Sequence, residues 1–222
     1  IRDICIISSP SYIQHYLRLF INSSQLGLNI EFRAQITPKG IPEALTISED
    51  FIGKDSCCLI LGDNIFHGAQ RYTIPEEGAM IFGYPVKHPS RYGVVEFNSK
   101  GNAISIEEKP EKPKSKYAIP GIYFLDNKSI KYAKELNPSE RGELEITDLI
   151  KRYLEEDALK VTKLNRGFVW LDAGLPSTLH QASSYIQTIQ ERQDVSIGCI
   201  EEDCYRAGFI DKKQLRKIVE TY

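Results

Sequence analysis

Short apolar runs of strand length alternate with segments of helical spacing along this chain, the pattern of a mainly parallel sheet covered by helices. Asp3–Ser8 (DICIIS) ends at Ser-Pro and reads as a buried strand. Tyr12, Ile13, Tyr16, Leu17 and Phe20 then recur as one helix face does. Asn29–Gln35 alternates apolar and polar residues like a strand, and Gly40-Ile41-Pro42-Glu43-Ala44 opens a helix, since proline is tolerated in a first turn. Ser56–Leu61 (SCCLIL) is another buried strand, with Gly62-Asp63-Asn64 at its carboxyl end. The middle is richer in β signals: Ala79–Val86, Val94–Phe97, Ala103–Glu107 and Tyr117–Leu125 read as strands, and 98–102 as a hairpin turn. Ile146, Leu149, Ile150, Tyr153 and Leu154 form a helical stripe. Phe168–Leu171 runs into Asp172-Ala173-Gly174, Pro176–Gln193 is a long helix, and a last amphipathic helix starts at Asp211. The expected organisation is one α/β domain over 1–194, with 195–222 as its C-terminal helical extension. The chain opens on Ile1 rather than Met and enters an apolar run at once, so it reads as an N-terminally incomplete piece.

Bulk properties narrow the partners. The 222 residues carry a formal net charge of -2, so no basic field draws in nucleic acid or an anionic membrane. No apolar run is long enough to span a bilayer. Five cysteines, an odd number without a CxxC, argue against a disulfide framework and against zinc, and suit buried thiols in a reducing cytoplasm. The four histidines match no metal-ligand spacing, and GxSxG, HExxH and the P-loop motif are missing.

Two acidic residues stand just past strand ends, Asp63 in LGDN and Asp172 in WLDAG. Ligands of open α/β sheets bind there, and two carboxylates that converge repel unless a cation lies between them. Mg2+ commonly joins one or two carboxylates to substrate phosphates, so the pair suggests a metal that holds a nucleoside triphosphate. A Gly-Asp after a strand is also an ordinary turn. Lys109 and Arg141 are cations of the kind phosphoryl chemistry needs, although both also suit surface ion pairs with nearby glutamates. Gly93, after Tyr92, permits close backbone approach to a ligand. Trp170, the sole tryptophan, shares a strand face with Asp172 and lines the site or packs in the core.

The segments LGDNIFHG, RYGVVEF, ISIEEKP, YAIPGIYFLD, SERGELEITDL and FVWLDAG, in this order, resemble the glucose-1-phosphate thymidylyltransferases. The resemblance runs from Ile1 to about 193 and into RAGFID at 206–211. It implies a Rossmann-like nucleotide-diphospho-sugar transferase fold and a reaction in which glucose 1-phosphate attacks the α-phosphorus of dTTP, releasing pyrophosphate and opening dTDP-rhamnose synthesis. Carried over by position, Asp63 and Asp172 look like the Mg2+ ligands, and Gln35 and Gly40 like the thymine contacts. Tyr92, Gly93, Glu108, Ile119, Tyr123 and Trp170 look like the sugar side, and Lys109 and Arg141 like the partners of the sugar phosphate. The resemblance also implies a homotetramer and feedback inhibition by dTDP-rhamnose at a second site, with Gly68, Arg166 and Arg206 at matching positions. Three features depart from the family pattern: the glycine-rich phosphate loop would precede Ile1, Pro42 interrupts the base-contacting stretch, and 69–78 is short. Transfer of another nucleotide, uridylyl or cytidylyl, and a non-catalytic sugar-nucleotide binder are the competing expectations.

Overall fold

The computed structural model describes residues 1–21 and 23–220, and the chain falls into two compact units. One is Lys39–Ser183; the other comprises the flanking segments, up to Pro38 and from Ser184. In the flanking unit β1 (Asp3–Ser8), α1 (Pro10–Leu19) and β2 (Asn29–Ala34) form a strand–helix–strand turn, with β1 and β2 parallel from Asp3↔Asn29 to Ser8↔Ala34.

The larger unit starts with α2 (Glu43–Ile47) and α3 (Glu49–Ile52), the former entered through Pro42 as its sequence predicts. Then come β3 (Cys57–Ile60), β4 (Asn64–His67), β5 (Ala79–Pro85), β6 (Gly93–Phe97), β7 (Ala103–Glu108), β8 (Tyr117–Ala118) and β9 (Ile122–Leu125). After α4 (Lys128–Lys134) and α5 (Ile146–Glu155) follow β10 (Leu159–Lys163) and β11 (Val169–Asp172). The helix α6 (Pro176–Gln193) has its expected bounds, and α7 (Ile200–Arg206) and α8 (Lys212–Val219) complete the chain's described elements. Asp211 caps α8, accepting from Gln214 N while the Gln214 side chain accepts from Asp211 N, so two of the helix's orphan donors are satisfied at once. The segment from Val195 is thus helical, and Cys204, Ile210 and Ile218 pack there with Leu26.

Seven strands form the main sheet, in the order β3-β9-β5-β8-β6-β7 with β10 beside β5. The α/β class and the flanking helices agree with expectation; the strand directions do not. Among the described pairings of this sheet only β10–β5 is parallel, because β6 and β7 are joined by the tight turn at 98–102 and β9 returns antiparallel beside both β3 and β5. The run Tyr117–Leu125 is two strands rather than one, since Pro120 lacks the amide hydrogen a ladder needs. The periodicity also overlooks β4 and β10. Each is short, and β10 (LKVTK) carries two lysines.

Strand β5 is buried on both faces, as its unbroken apolar run requires. Ala79 and Ile81 point into the main core with Val95, Leu125, Leu149, Ile150 and Tyr153, while Met80 and Phe82 point to the other face with Leu164. The helical stripe of α5 is therefore the side that covers the sheet. Cys57 and Cys58 are half-buried rather than buried, with Cys204 the buried one, and desolvation still pushes the Cys57 and Cys58 thiols up to about 11 and about 12.

Asp126, just after β9, ties this core together. Its carboxylate accepts from Gly78 N at 2.8 Å, Lys128 N at 3.0 Å and the hydroxyl of fully buried Tyr153 at 2.6 Å. Asp126→Ala strands that hydroxyl and Gly78 N, while exposed Lys128 N turns to water, so chemical denaturation should show a loss of about 2–3 kcal/mol, the usual cost of orphaned buried groups around a lost charged acceptor.

Candidate active site

The two aspartates are brought together by a short antiparallel ladder. Strands β4 and β11 pair from Asn64↔Asp172 to His67↔Val169, so the residue before β4 meets the end of β11. Ala173 N donates to the Asp63 carbonyl at 2.7 Å, and Gly174 N to Asp172 Oδ1 at 2.9 Å. A Cβ placed on Gly174 would lie 3.0 Å from Asp172 Oδ1 and 3.1 Å from Asp63 Oδ2. Both carboxylates therefore face one small space that glycine keeps open.

Side chains fix each carboxylate. Asn64 Nδ2 donates to Asp63 Oδ1 at 2.7 Å, and Asn64 Oδ1 accepts from Trp170 Nε1 at 2.6 Å and from Gly121 N at 3.0 Å. The Trp170 indole is 8% exposed and lies edge-on to Tyr84 and Tyr92, so most of it is core. Tyr92 donates its hydroxyl to Asp172 Oδ2 at 3.3 Å, and Arg91 Nη2 is 3.7 Å from the same oxygen. Burial raises the Tyr92 pKa, with Asp172 adding to the effect against Arg91. Asn64 and Arg91 were legible only as letters inside GDN and RYG; their partners lie at strand ends far away in sequence.

The second cluster forms where β6 meets β7. Gly93 pairs with Glu108, Lys109 N donates to the Tyr92 carbonyl at 3.1 Å, and Ile119 N donates to the Gly93 carbonyl at 2.8 Å. Tyr92, Gly93, Glu108, Lys109 and Ile119 thus come together as expected. A Cβ on Gly93 would sit 2.7 Å from Thr147 Cγ2 and 3.4 Å from Glu108 Oε2, so the glycine is required for this approach. Lys109 itself holds a positive φ of 39°, uncommon for a side-chain-bearing residue. Arg141 lies among carboxylates, 3.6 Å from Glu108, 3.4 Å from Glu145 and 3.6 Å from Glu143. For Arg141 the ion pairs that spacing suggested are present, and its side chain remains 42% exposed. Tyr123 is buried, and its pKa is raised by that burial and then by the charges of Glu108 and Asp63. Among the described residues, Thr147 Oγ1 is the buried side-chain polar atom without a hydrogen-bond partner.

Gly40 lies against the Arg141 loop. It bridges to Leu144, and with φ +120° a Cβ there would be 2.1 Å from the Leu144 carbonyl oxygen. Gln35 is in the flanking unit, where its amide donates to the Ser8 carbonyl. Gly68 meets the backbone of Gly167 and Phe168, next to Arg166, whereas Arg206 is on α7 in the flanking unit, paired with Glu202.

Two carboxylates presenting oxygens to one space fit Mg2+, which takes one or two protein carboxylates and completes its shell with water and phosphate. No group of three or more His, Cys, Asp or Glu suited to a metal occurs among the described residues, so a closed all-protein cage is not formed there.

An α/β fold that pairs two carboxylates on one ladder and holds a Lys and an Arg on its β6–β7 side carries the groups that phosphoryl transfer between bound anions uses. The family model described as nucleotidyl transferase matches residues 1–189, and the chain belongs to that family. Its relatives bear a narrower name. A glucose-1-phosphate thymidylyltransferase of Neisseria meningitidis is 46% identical over 228 residues, covering 100% of this chain and 79% of its own length. One of Xanthomonas campestris pv. campestris is also 46% identical, covering 98% and 76%. A solved Bacillus anthracis chain assigned to the same activity, in complex with a sucrose, superposes with a TM-score of 0.76 at 34% identity over 90% of this chain and 80% of that one. A UDP-glucose pyrophosphorylase at 18% identity, TM-score 0.69, shares the fold.

Burial, and then the charge of Glu145, raise the Glu108 pKa against the nearby Thr147 hydroxyl, Lys109 and Arg141. A carboxyl whose folded pKa exceeds its unfolded value binds protons on folding, so its contribution falls as pH rises through that range. Glu108→Gln should therefore raise the melting temperature at pH 7.5, and the gap should close as pH falls below the ordinary carboxylate range. Melting curves at several pH values check this.

Proposed function

We propose that this chain transfers a thymidylyl group from dTTP to glucose 1-phosphate, giving dTDP-glucose and pyrophosphate. The observation that carries the reading is the convergence of Asp63 and Asp172 on one space, in a chain whose full length aligns with enzymes of that name. A phosphate oxygen of glucose 1-phosphate attacks the α-phosphorus, the bond to the bridging oxygen of pyrophosphate breaks, and the electron pair leaves with pyrophosphate. No covalent enzyme intermediate is needed, so the protein's task is to align two anions and offset their charge.

In this reading Asp63 and Asp172 hold Mg2+, whose charge offsets that of the triphosphate. Lys109 and Arg141 bind the sugar phosphate. Gly93 gives a flat backbone approach for the sugar beside Tyr92, Glu108, Ile119 and Tyr123, with the buried Thr147 hydroxyl next to Glu108. Trp170 backs that wall, and Gln35 and Gly40 contact thymine. The family resemblance also supports a homotetramer and inhibition by dTDP-rhamnose through Gly68, Arg166 and Arg206. The free cysteines suit a cytoplasmic protein.

Full-length protein should release pyrophosphate from dTTP and glucose 1-phosphate faster than from UTP or CTP with the same sugar; a preference for UTP or CTP would move the chain to another branch of the family. Asp63→Asn and Asp172→Asn should each cost about 10²–10³ in turnover at saturating Mg2+, the scale of other losses of transition-state electrostatics. Lys109→Ala and Arg141→Ala should raise the KM for glucose 1-phosphate by about one to two decades. Steady-state kinetics with each substrate varied decides this: a change confined to the dTTP dependence would put both cations on the wrong ligand.

A further inference from the structure

The Asn64 amide has only one workable orientation. Its Oδ1 faces two groups that can only donate, Gly121 N at 3.0 Å and Trp170 Nε1 at 2.6 Å. Turning the amide over would set an NH2 against both. Nδ2 is thereby forced toward Asp63, where it donates to Oδ1 at 2.7 Å and leaves Oδ2 facing the space at Gly174. The Trp170 ring that donates to Asn64 packs edge-on against Tyr92 with centroids 5.0 Å apart, and the Tyr92 hydroxyl donates to Asp172 Oδ2 at 3.3 Å. Asp172 Oδ1 faces the same space. One chain of side chains, Asp63–Asn64–Trp170–Tyr92–Asp172, therefore links the two carboxylates behind the site and holds one oxygen of each back.

We propose that Asn64 is a positioning residue that couples the two aspartates, locking Asp63 through its own amide and Asp172 through Trp170 and Tyr92. Only the kinetic arm of the test rests on the function proposed above. Gly121 explains why the lock is rigid. A Cβ at Gly121 would fall 2.9 Å from Asn64 Oδ1 and 2.6 Å from Leu61 Cδ1, so its backbone sits directly against the amide. The lock also reaches a natural reporter, because Trp170 is the only tryptophan and its indole N–H gives a single resonance.

The spectroscopic arm uses 15N-labelled full-length protein without metal or nucleotide. Asp63→Asn should shift the Trp170 indole N–H resonance, although Asp63 and Trp170 share no side-chain hydrogen bond and Asn64 is the side chain bonded to both. In an Asn64→Ala background the same substitution should leave that resonance where Asn64→Ala alone puts it. No shift in the wild-type background, or an equal shift in both, would overturn the coupling, the latter because a through-space field does not need Asn64. The kinetic arm predicts that Asn64→Ala lowers kcat about 10–100-fold, as outer-shell losses do. The Asn64→Ala/Asp63→Asn double variant should be about as slow as the slower single one. Turnover within twofold of wild type, or fully multiplicative losses, would overturn it. If removing the acceptor shared by Gly121 and Trp170 unfolds the Ala variant, as circular dichroism would reveal, Asn64→Asp serves in its place in both arms. It keeps the acceptor for Gly121 and Trp170 and loses the donor to Asp63. Its indole N–H should stay hydrogen-bonded to the side chain at 64 while turnover falls; turnover within twofold of wild type would reduce Asn64 to a support for Trp170 and overturn the proposal. Loss of the dTTP reaction in the wild type would count against the proposed function and leave the spectroscopic outcome decisive for the coupling.

Discussion

The site depends on the four-residue antiparallel ladder between β4 and β11. Two carboxylates do not approach by choice; their mutual repulsion must be overcome by structure. Here the backbone does it. Pairing Asn64 with Asp172 fixes the separation of the strands, and the hydrogen bond from Ala173 N to the Asp63 carbonyl closes the end of the ladder. Once that is formed, Asn64, Tyr92 and Gly174 N each take up one carboxylate oxygen as acceptor, which spreads the negative charge onto donors and sets the orientation of the rest.

The second cluster is built the same way, by backbone pairing first and side chains second. The β6–β7 hairpin sets Gly93 opposite Glu108, and β8 delivers Ile119 to the Gly93 carbonyl. Arg141 arrives on a loop that Gly40 allows to pass within bonding distance, since any side chain at Gly40 would collide with the Leu144 carbonyl. Cation and carboxylates then compensate one another. Glu108 and the more deeply buried Glu145 share Arg141, and burial with the charge of Glu145 raises the Glu108 pKa.

Local patterns carried much of this in the sequence. The helices α5, α6 and α8 were legible because apolar spacing, Pro176 and Asp211 are signals within a few residues of the element they define. Asp63 and Asp172 were legible because each follows an apolar run of strand length. Strand direction was not. Alternation of strands and helices suggests parallel pairing, yet β9 chooses β3 and β5 in antiparallel sense, a choice made by packing across distant segments. Strand β4 escaped notice because four residues give no periodicity, and its partner lies more than a hundred positions away. Asn64 escaped for the same reason: its role comes from Trp170 and Gly121, which only the folded chain brings to it.

The most direct measurement is anomalous diffraction from crystals of the full-length protein grown with MnCl2 and dTTP. The account predicts a manganese peak in direct coordination distance of both Asp63 Oδ2 and Asp172 Oδ1, with the α-phosphate on its open side. A well-occupied manganese and nucleotide bound elsewhere, with the space between the two aspartates filled by water alone, would contradict it.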